Sequence, residues 1–103
     1  VIEQLNNKLT LSVFKNQSIN DVLDEFHYNK SYLCRIFKEE TGLTMTEYVN
    51  KIKLKRAINL LLYTNMSVST IVIQLGFSSE SYFFKLFKKH YGISPLQYRK
   101  LKI

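Results

Sequence analysis

At 103 residues with 46% apolar side chains, the chain suits one compact domain or two very small ones, with enough apolar surface for a buried core. Three Gly and one Pro are too few to punctuate an all-β chain, and the single cysteine, Cys34, can form neither an internal disulfide nor a Cys-based zinc site. Apolar runs such as Leu60–Tyr63 and Ile71–Ile73 fall far below the roughly 20 residues that cross a bilayer, and no signal-peptide pattern opens the chain.

The formal charge of +7 is unevenly spread. Residues 1–47 hold 5 basic and 7 acidic side chains, whereas residues 48–103 hold 10 and 1. The second half therefore carries the attraction for an anionic partner, of which nucleic acid is the commonest for a small basic domain. A merely solvated basic surface would show the same balance.

Periodicity predicts an all-α chain of about seven helices, near 3–14, 19–26, 30–40, 45–63, 68–75, 79–90 and 95–101. Ser18 and Asp21 have capping-box spacing ahead of the second helix, whose apolar stripe is Val22, Leu23 and Phe26. The pair Tyr28-Asn29 breaks that stripe, Asn29 being a candidate cap, and Leu33, Ile36 and Phe37 begin the next. Thr44 and Glu47 repeat the capping-box spacing before the longest helix, which at 1.5 Å per residue spans roughly 28 Å. Ile71, Val72 and Leu75 then precede a turn at Gly76, where a left-handed residue suits a helix end. Ser78 is the candidate cap for the stripe Phe83, Leu86 and Phe87, and Ser94-Pro95 is a cap followed by Pro at the first helical position.

The chain also resembles itself. Ser18-Ile19-Asn20-Asp21-Val22 recurs as Ser67-Val68-Ser69-Thr70-Ile71 at an offset of 49, and Tyr32 through Lys38 returns as Tyr82 through Lys88 at an offset of 50. Gly42/Gly92, Thr44/Ser94 and Tyr48/Tyr98 keep the offset of 50, so a whole supersecondary unit is duplicated, with one residue gained in a turn. Two short helices joined by a tight turn make a helix-turn-helix. The expected organisation is a first such unit over 1–44, a connector helix over 45–63 and a second unit over 64–103.

If Leu33, Ile36 and Phe37 face a core, Ser31, Cys34, Arg35 and Lys38 lie on the opposite face of their helix. The second copy exposes Ser81, Phe84, Lys85 and Lys88, the same four positions displaced by 50. Arg35 has the fork to bond a guanine edge, and Lys85 can reach the same acceptors as a point charge. Lys88 and Lys89 are candidate phosphate anchors, and Lys30 and Lys38 further candidate nucleic-acid contacts. For an isolated cation a solvated stem is the commoner reading; recurrence at equivalent positions favours a docking face.

With these residues in hand, the chain closely resembles the DNA-binding domain of AraC/XylS-type bacterial transcription regulators over about residues 5–99. Ile71, Gly76-Phe77, Tyr82-Phe83, Phe87-Lys88, Gly92, Ser94-Pro95 and Tyr98-Arg99 fall on the family's signature spacing, and Tyr48, Leu54, Ala57 and Leu60-Leu61 fit its connector helix. The resemblance implies two helix-turn-helix units on a long helix, each inserting its second helix into one of two successive major-groove segments. It places the base-reading positions on Ser31, Cys34 and Arg35, and on Ser81, Tyr82 and Lys85. Three departures stand out. Leu23 and Val72 replace small alanines, Lys53 replaces an arginine, and Phe84 occupies a position often small or polar.

The partners expected of such a regulator are double-stranded DNA, RNA polymerase and an N-terminal sensing or receiver domain outside this stretch, in a bacterial cytoplasm. No cofactor, metal or membrane is expected. The rival readings are an enzyme and a basic helical module for an acidic protein or a membrane surface. For an enzyme the residues give little, because His27 and His90 fall at no metal-ligand spacing with each other or with Cys34. Replacing Cys34 by Ser is accordingly expected to leave the circular dichroism spectrum unchanged; a bound metal lost with that change, read by elemental analysis, would contradict it.

Overall fold

The computed structural model describes residues 1–101, and among them the regular structure is helical throughout. In chain order the elements are α1 (Ile2–Lys15), α2 (Ile19–Leu23), α3 (Lys30–Thr41), α4 (Met45–Tyr63), α5 (Val68–Leu75), α6 (Glu80–Tyr91) and α7 (Pro95–Lys100). They group into two compact units, one of Val1–Lys53 and one beginning at Leu54, so that α4 contributes to both.

In the first unit, Leu5, Leu9 and Val13 repeat every fourth residue and bury one stripe of α1. The helix stops where Asn16 turns left-handed at φ 55° and returns its N–H to the Ser12 carbonyl. Ser18 and Asp21 form the capping box that starts α2, each side chain accepting the other's backbone N–H at 3.1 Å. Spacing predicts this helix to Phe26, but it ends at Leu23. Glu25 and Phe26 bond to the carbonyls three residues back, which tightens the last turn out of α geometry. Asn29 then caps α3 by accepting from the Tyr32 N–H at 3.2 Å. Leu5, Leu9, Val22, Leu33 and Phe37 are fully buried in this core, which Met45 and Val49 of α4 complete.

The second unit repeats the plan. Ser67 caps α5, and Gly76 closes it at φ 74°. The Gly76 N–H bonds the Ile73 carbonyl, and the Phe77 N–H bonds Val72 at 3.2 Å, the paired pattern of a Schellman end. The cap of α6 is Ser79 rather than Ser78. Its backbone is extended, and its Oγ accepts from the Tyr82 N–H at 3.1 Å, three residues on. Ser79 stands 50 residues after Asn29, so the residue gained between the copies precedes the cap. Ile71, Leu75, Phe83 and Phe87 are buried with Leu54, Ala57 and Leu61 of α4. Leu23 and Val72, where small alanines are usual, are both buried at 3% exposure and fit their cores.

The duplication extends to ring geometry. Phe37 meets Tyr48 edge-on at 5.4 Å, and Phe87 meets Tyr98 edge-on at 5.6 Å. The copies diverge at the next position. Val49 is buried in the first core, whereas its counterpart Arg99 spreads its guanidinium over the C-terminal carbonyls of α4 and the turn beyond it. The Nε donates to Leu61 at 2.9 Å, and one terminal nitrogen donates to Met66 at 2.7 Å and Thr64 at 3.4 Å. Carbonyls at a helix end have no partner of their own, and the fork supplies one. Arg99→Lys keeps the charge but loses the fork. It is expected to lower stability in urea unfolding by about 1–3 kcal/mol, against less than about 0.5 for Lys100→Ala.

Candidate nucleic-acid interface

Burial of Leu33 and Phe37, four residues apart, fixes which side of α3 faces outward. Ser31, Cys34, Arg35 and Lys38 are all exposed on that side, as their spacing predicts. Their surroundings were not legible as a set. The Arg35 guanidinium lies 5.4 Å from the centre of the Tyr32 ring and 3.4 Å from a carboxylate oxygen of Glu39. Tyr32 in turn rests on Tyr28, the ring centres 5.9 Å apart. Lys30, one of the expected nucleic-acid contacts, has its Nζ 2.8 Å from Asp24 in the preceding turn. A groove runs beside this face between α3 and the start of α4, bounded by Cys34, Arg35, Lys38, Glu39 and Met45.

On α6 the buried pair is Phe83 and Phe87, and the burial pattern along residues 81–90 matches that along 31–40 residue for residue. Ser81, Phe84, Lys85, Lys88 and Lys89 are exposed, and Tyr82 is 39% exposed. The chemistry differs where the geometry does not. Arg35 has Glu39 four residues on, whereas Lys85 has Lys89. Like charges at that spacing repel mildly and add to one positive field. Only Glu80 supplies a carboxylate in residues 48–103, so composition leaves these lysines little local neutralisation.

Two basic residues of the second half are engaged in the fold instead. Arg99 is directed at backbone carbonyls. Lys53 is half-buried, and desolvation pushes its ammonium below the usual lysine range. Lys85, Lys88 and Lys89, by contrast, are exposed. Residues that sequence reasoning left out of the site are Tyr32, Glu39 and Asp24. The i,i+4 spacing of Arg35 and Glu39 was the available signal for one of these contacts. Among the described residues no group of three or more His, Cys, Asp or Glu could hold a metal ion. Nor is any described helix long and apolar enough to cross a membrane.

Comparison with known proteins agrees with this arrangement. The family model described as a helix-turn-helix domain matches residues 22–101. The probable transcription factor PqrA of Proteus vulgaris is 38% identical over 82 residues, covering 80% of this chain and 67% of that protein. The melibiose operon regulatory protein of Escherichia coli strain K12 is 38% identical over 84 residues, covering 82% of this chain and 28% of that protein. The chain thus spans only part of its relatives, often about a third of their length. Among solved structures, the C-terminal domain of AraT, a response regulator from Geobacillus stearothermophilus, superposes with a TM-score of 0.87 at 26% identity, over 99% of this chain and 85% of that one. The DNA-binding domain of the transcriptional factor AdpA, solved with a target DNA, shares the fold with a TM-score of 0.85 at 18% identity, over 97% of this chain and 90% of that one. The match across most of the chain, with two helix-turn-helix units built on one plan, places it among regulators rather than enzymes: the chain belongs to the AraC/XylS family of helix-turn-helix transcription regulators.

Proposed function

We propose that the chain is the DNA-reading part of a bacterial transcription regulator, with α3 and α6 each docking in a major-groove segment of duplex DNA. The observation that carries this reading is the pair of outward faces at one offset, 31/34/35/38 and 81/84/85/88, held in matching burial patterns. The complex of AdpA with its target DNA, a domain of the same fold, supports it. Residues 1–44 and 64–103 then carry the two reading units, and 45–63 is the helix on which both are built.

In this reading Arg35 bonds a guanine edge through two N–H groups, and Lys85 reaches base acceptors as a single charge. Ser31, Cys34, Ser81 and Tyr82 border them as further base-reading positions. Lys30, Lys38, Lys88 and Lys89 hold phosphates. Arg35 must leave Glu39 to do so, but an exposed ion pair contributes only about 0–1 kcal/mol, less than the roughly 1–3 kcal/mol of discrimination from a bidentate base contact. A DNA-bound regulator acts on transcription through RNA polymerase, its second partner here, and in the bacterial cytoplasm where both are found. The greater length of several relatives supports a sensing or receiver domain elsewhere in the full protein.

The test begins with selection of preferred duplexes from a randomised pool, followed by titration of the preferred and a scrambled duplex. Arg35→Ala is expected to cost about 1–3 kcal/mol on the preferred duplex and to relax choice at one base pair. Equal loss on both duplexes would make Arg35 a phosphate contact instead. For the double change Lys88→Ala and Lys89→Ala, both duplexes should weaken alike, and the slope of log affinity against log salt should flatten by roughly one to two. Lys38→Ala should flatten it less, because Glu39 and Glu40 adjoin it in sequence. An equal effect from Lys38 would remove the proposed division of labour between the units.

A further inference from the structure

We infer that Phe84 selects a thymine by packing against its 5-methyl group. This rests on the reading that α6 docks in the major groove, and it adds to that reading a specific base and a side chain with no hydrogen-bonding group. Phe84 lies within the outward face of α6, three residues after Ser81, next to Lys85 and four before Lys88. The residue is 39% exposed, so a substantial part of its surface is open to a partner. The rest is braced from beneath. Its centre is 6.0 Å from that of Phe83, a fully buried ring whose own neighbours are Phe77 at 5.0 Å and Phe87 at 5.7 Å. The ring therefore adjoins a row of core aromatics.

Exposure of one apolar ring is ordinary in itself. What gives this ring a partner is its position. It projects from the face that carries Lys85 and Lys88, so any duplex drawn to those charges meets the ring as well. Among the four bases only thymine presents an apolar group in the major groove; the others present donors and acceptors there. A phenyl ring pressed on a polar edge removes water from it and returns no hydrogen bond, which is unfavourable, whereas against a methyl group both surfaces gain. The first unit has Cys34 at the equivalent position, a much shorter side chain, so the same contact is not expected there.

The experiment uses the 103-residue chain and the duplex recovered by selection. Each thymine is replaced singly by deoxyuridine, which lacks only the methyl group, and each purine singly by its 7-deaza analogue, which lacks the major-groove N7 acceptor. Unaltered protein is expected to bind roughly three- to fivefold more weakly when one particular thymine is replaced, the magnitude of burying one methyl group. Phe84→Ser should bind the thymine and uracil forms of that position equally, with its fold checked by circular dichroism. Should that variant fail to fold, the scan with unaltered protein still decides: no uracil-sensitive thymine overturns the inference. So does a thymine preference that persists undiminished in folded Phe84→Ser. Sensitivity to 7-deaza purines without any uracil-sensitive thymine overturns the role of Phe84 but leaves major-groove docking standing. Insensitivity to both substitutions overturns the docking itself.

Discussion

The structure depends on burying two side chains four residues apart on the second helix of each unit: Leu33 with Phe37, and Phe83 with Phe87. A helix has one rotational degree of freedom about its axis, and a buried pair on one face removes it. Everything the outward face presents follows from that restraint. Each large ring also meets a tyrosine edge-on, Tyr48 or Tyr98, at nearly the same separation. The restraint is therefore built from similar parts twice. Caps support it at the entry to each helix, where Asn29 and Ser79 satisfy a backbone donor three residues on.

Upon this common frame the two faces carry different electrostatics. On α3 the guanidinium of Arg35 lies between an aromatic ring and a carboxylate, and Lys30 is paired with Asp24. These pairs are exposed and therefore weak. On α6 the cluster Lys85, Lys88 and Lys89 has almost no acidic neighbours in sequence, so its field reaches outward. The two units thus differ in charge pairing, although their backbones follow the same plan.

Most of this was legible in the sequence, because it is local. Apolar spacing located the seven helices, and the capping boxes at Ser18 and Thr44 and the cap at Ser94 fell where their spacing predicts. The exposed positions of both recognition helices followed from the stripes opposite them. Where the reading slipped, nonlocal or single-residue geometry decided. Ser78 and Ser79 are chemically identical candidates, and only backbone dihedrals separate them. Helix α2 ends early because its last donors reach back three residues instead of four, a choice that spacing does not encode. The role of Arg99 needs the end of α4 brought to it from more than thirty residues away in the chain. Tyr32 and Glu39 were visible as neighbours of Arg35, but their joint hold on its guanidinium depends on side-chain conformation.

The separation of labour within each recognition helix has a consequence for how such a protein can change. The residues that anchor α3 and α6 are buried, while those on the outward faces are exposed. Substitutions at exposed positions away from caps and strained turns typically alter stability by less than about 0.5 kcal/mol. A lineage can therefore exchange Ser31, Cys34 or Ser81 for other side chains while the scaffold keeps folding, so the outward faces are free to diverge faster than the cores that hold them. Phe84 is the exception on its face, because its ring packs against the buried ring of Phe83, so a change there also touches the core.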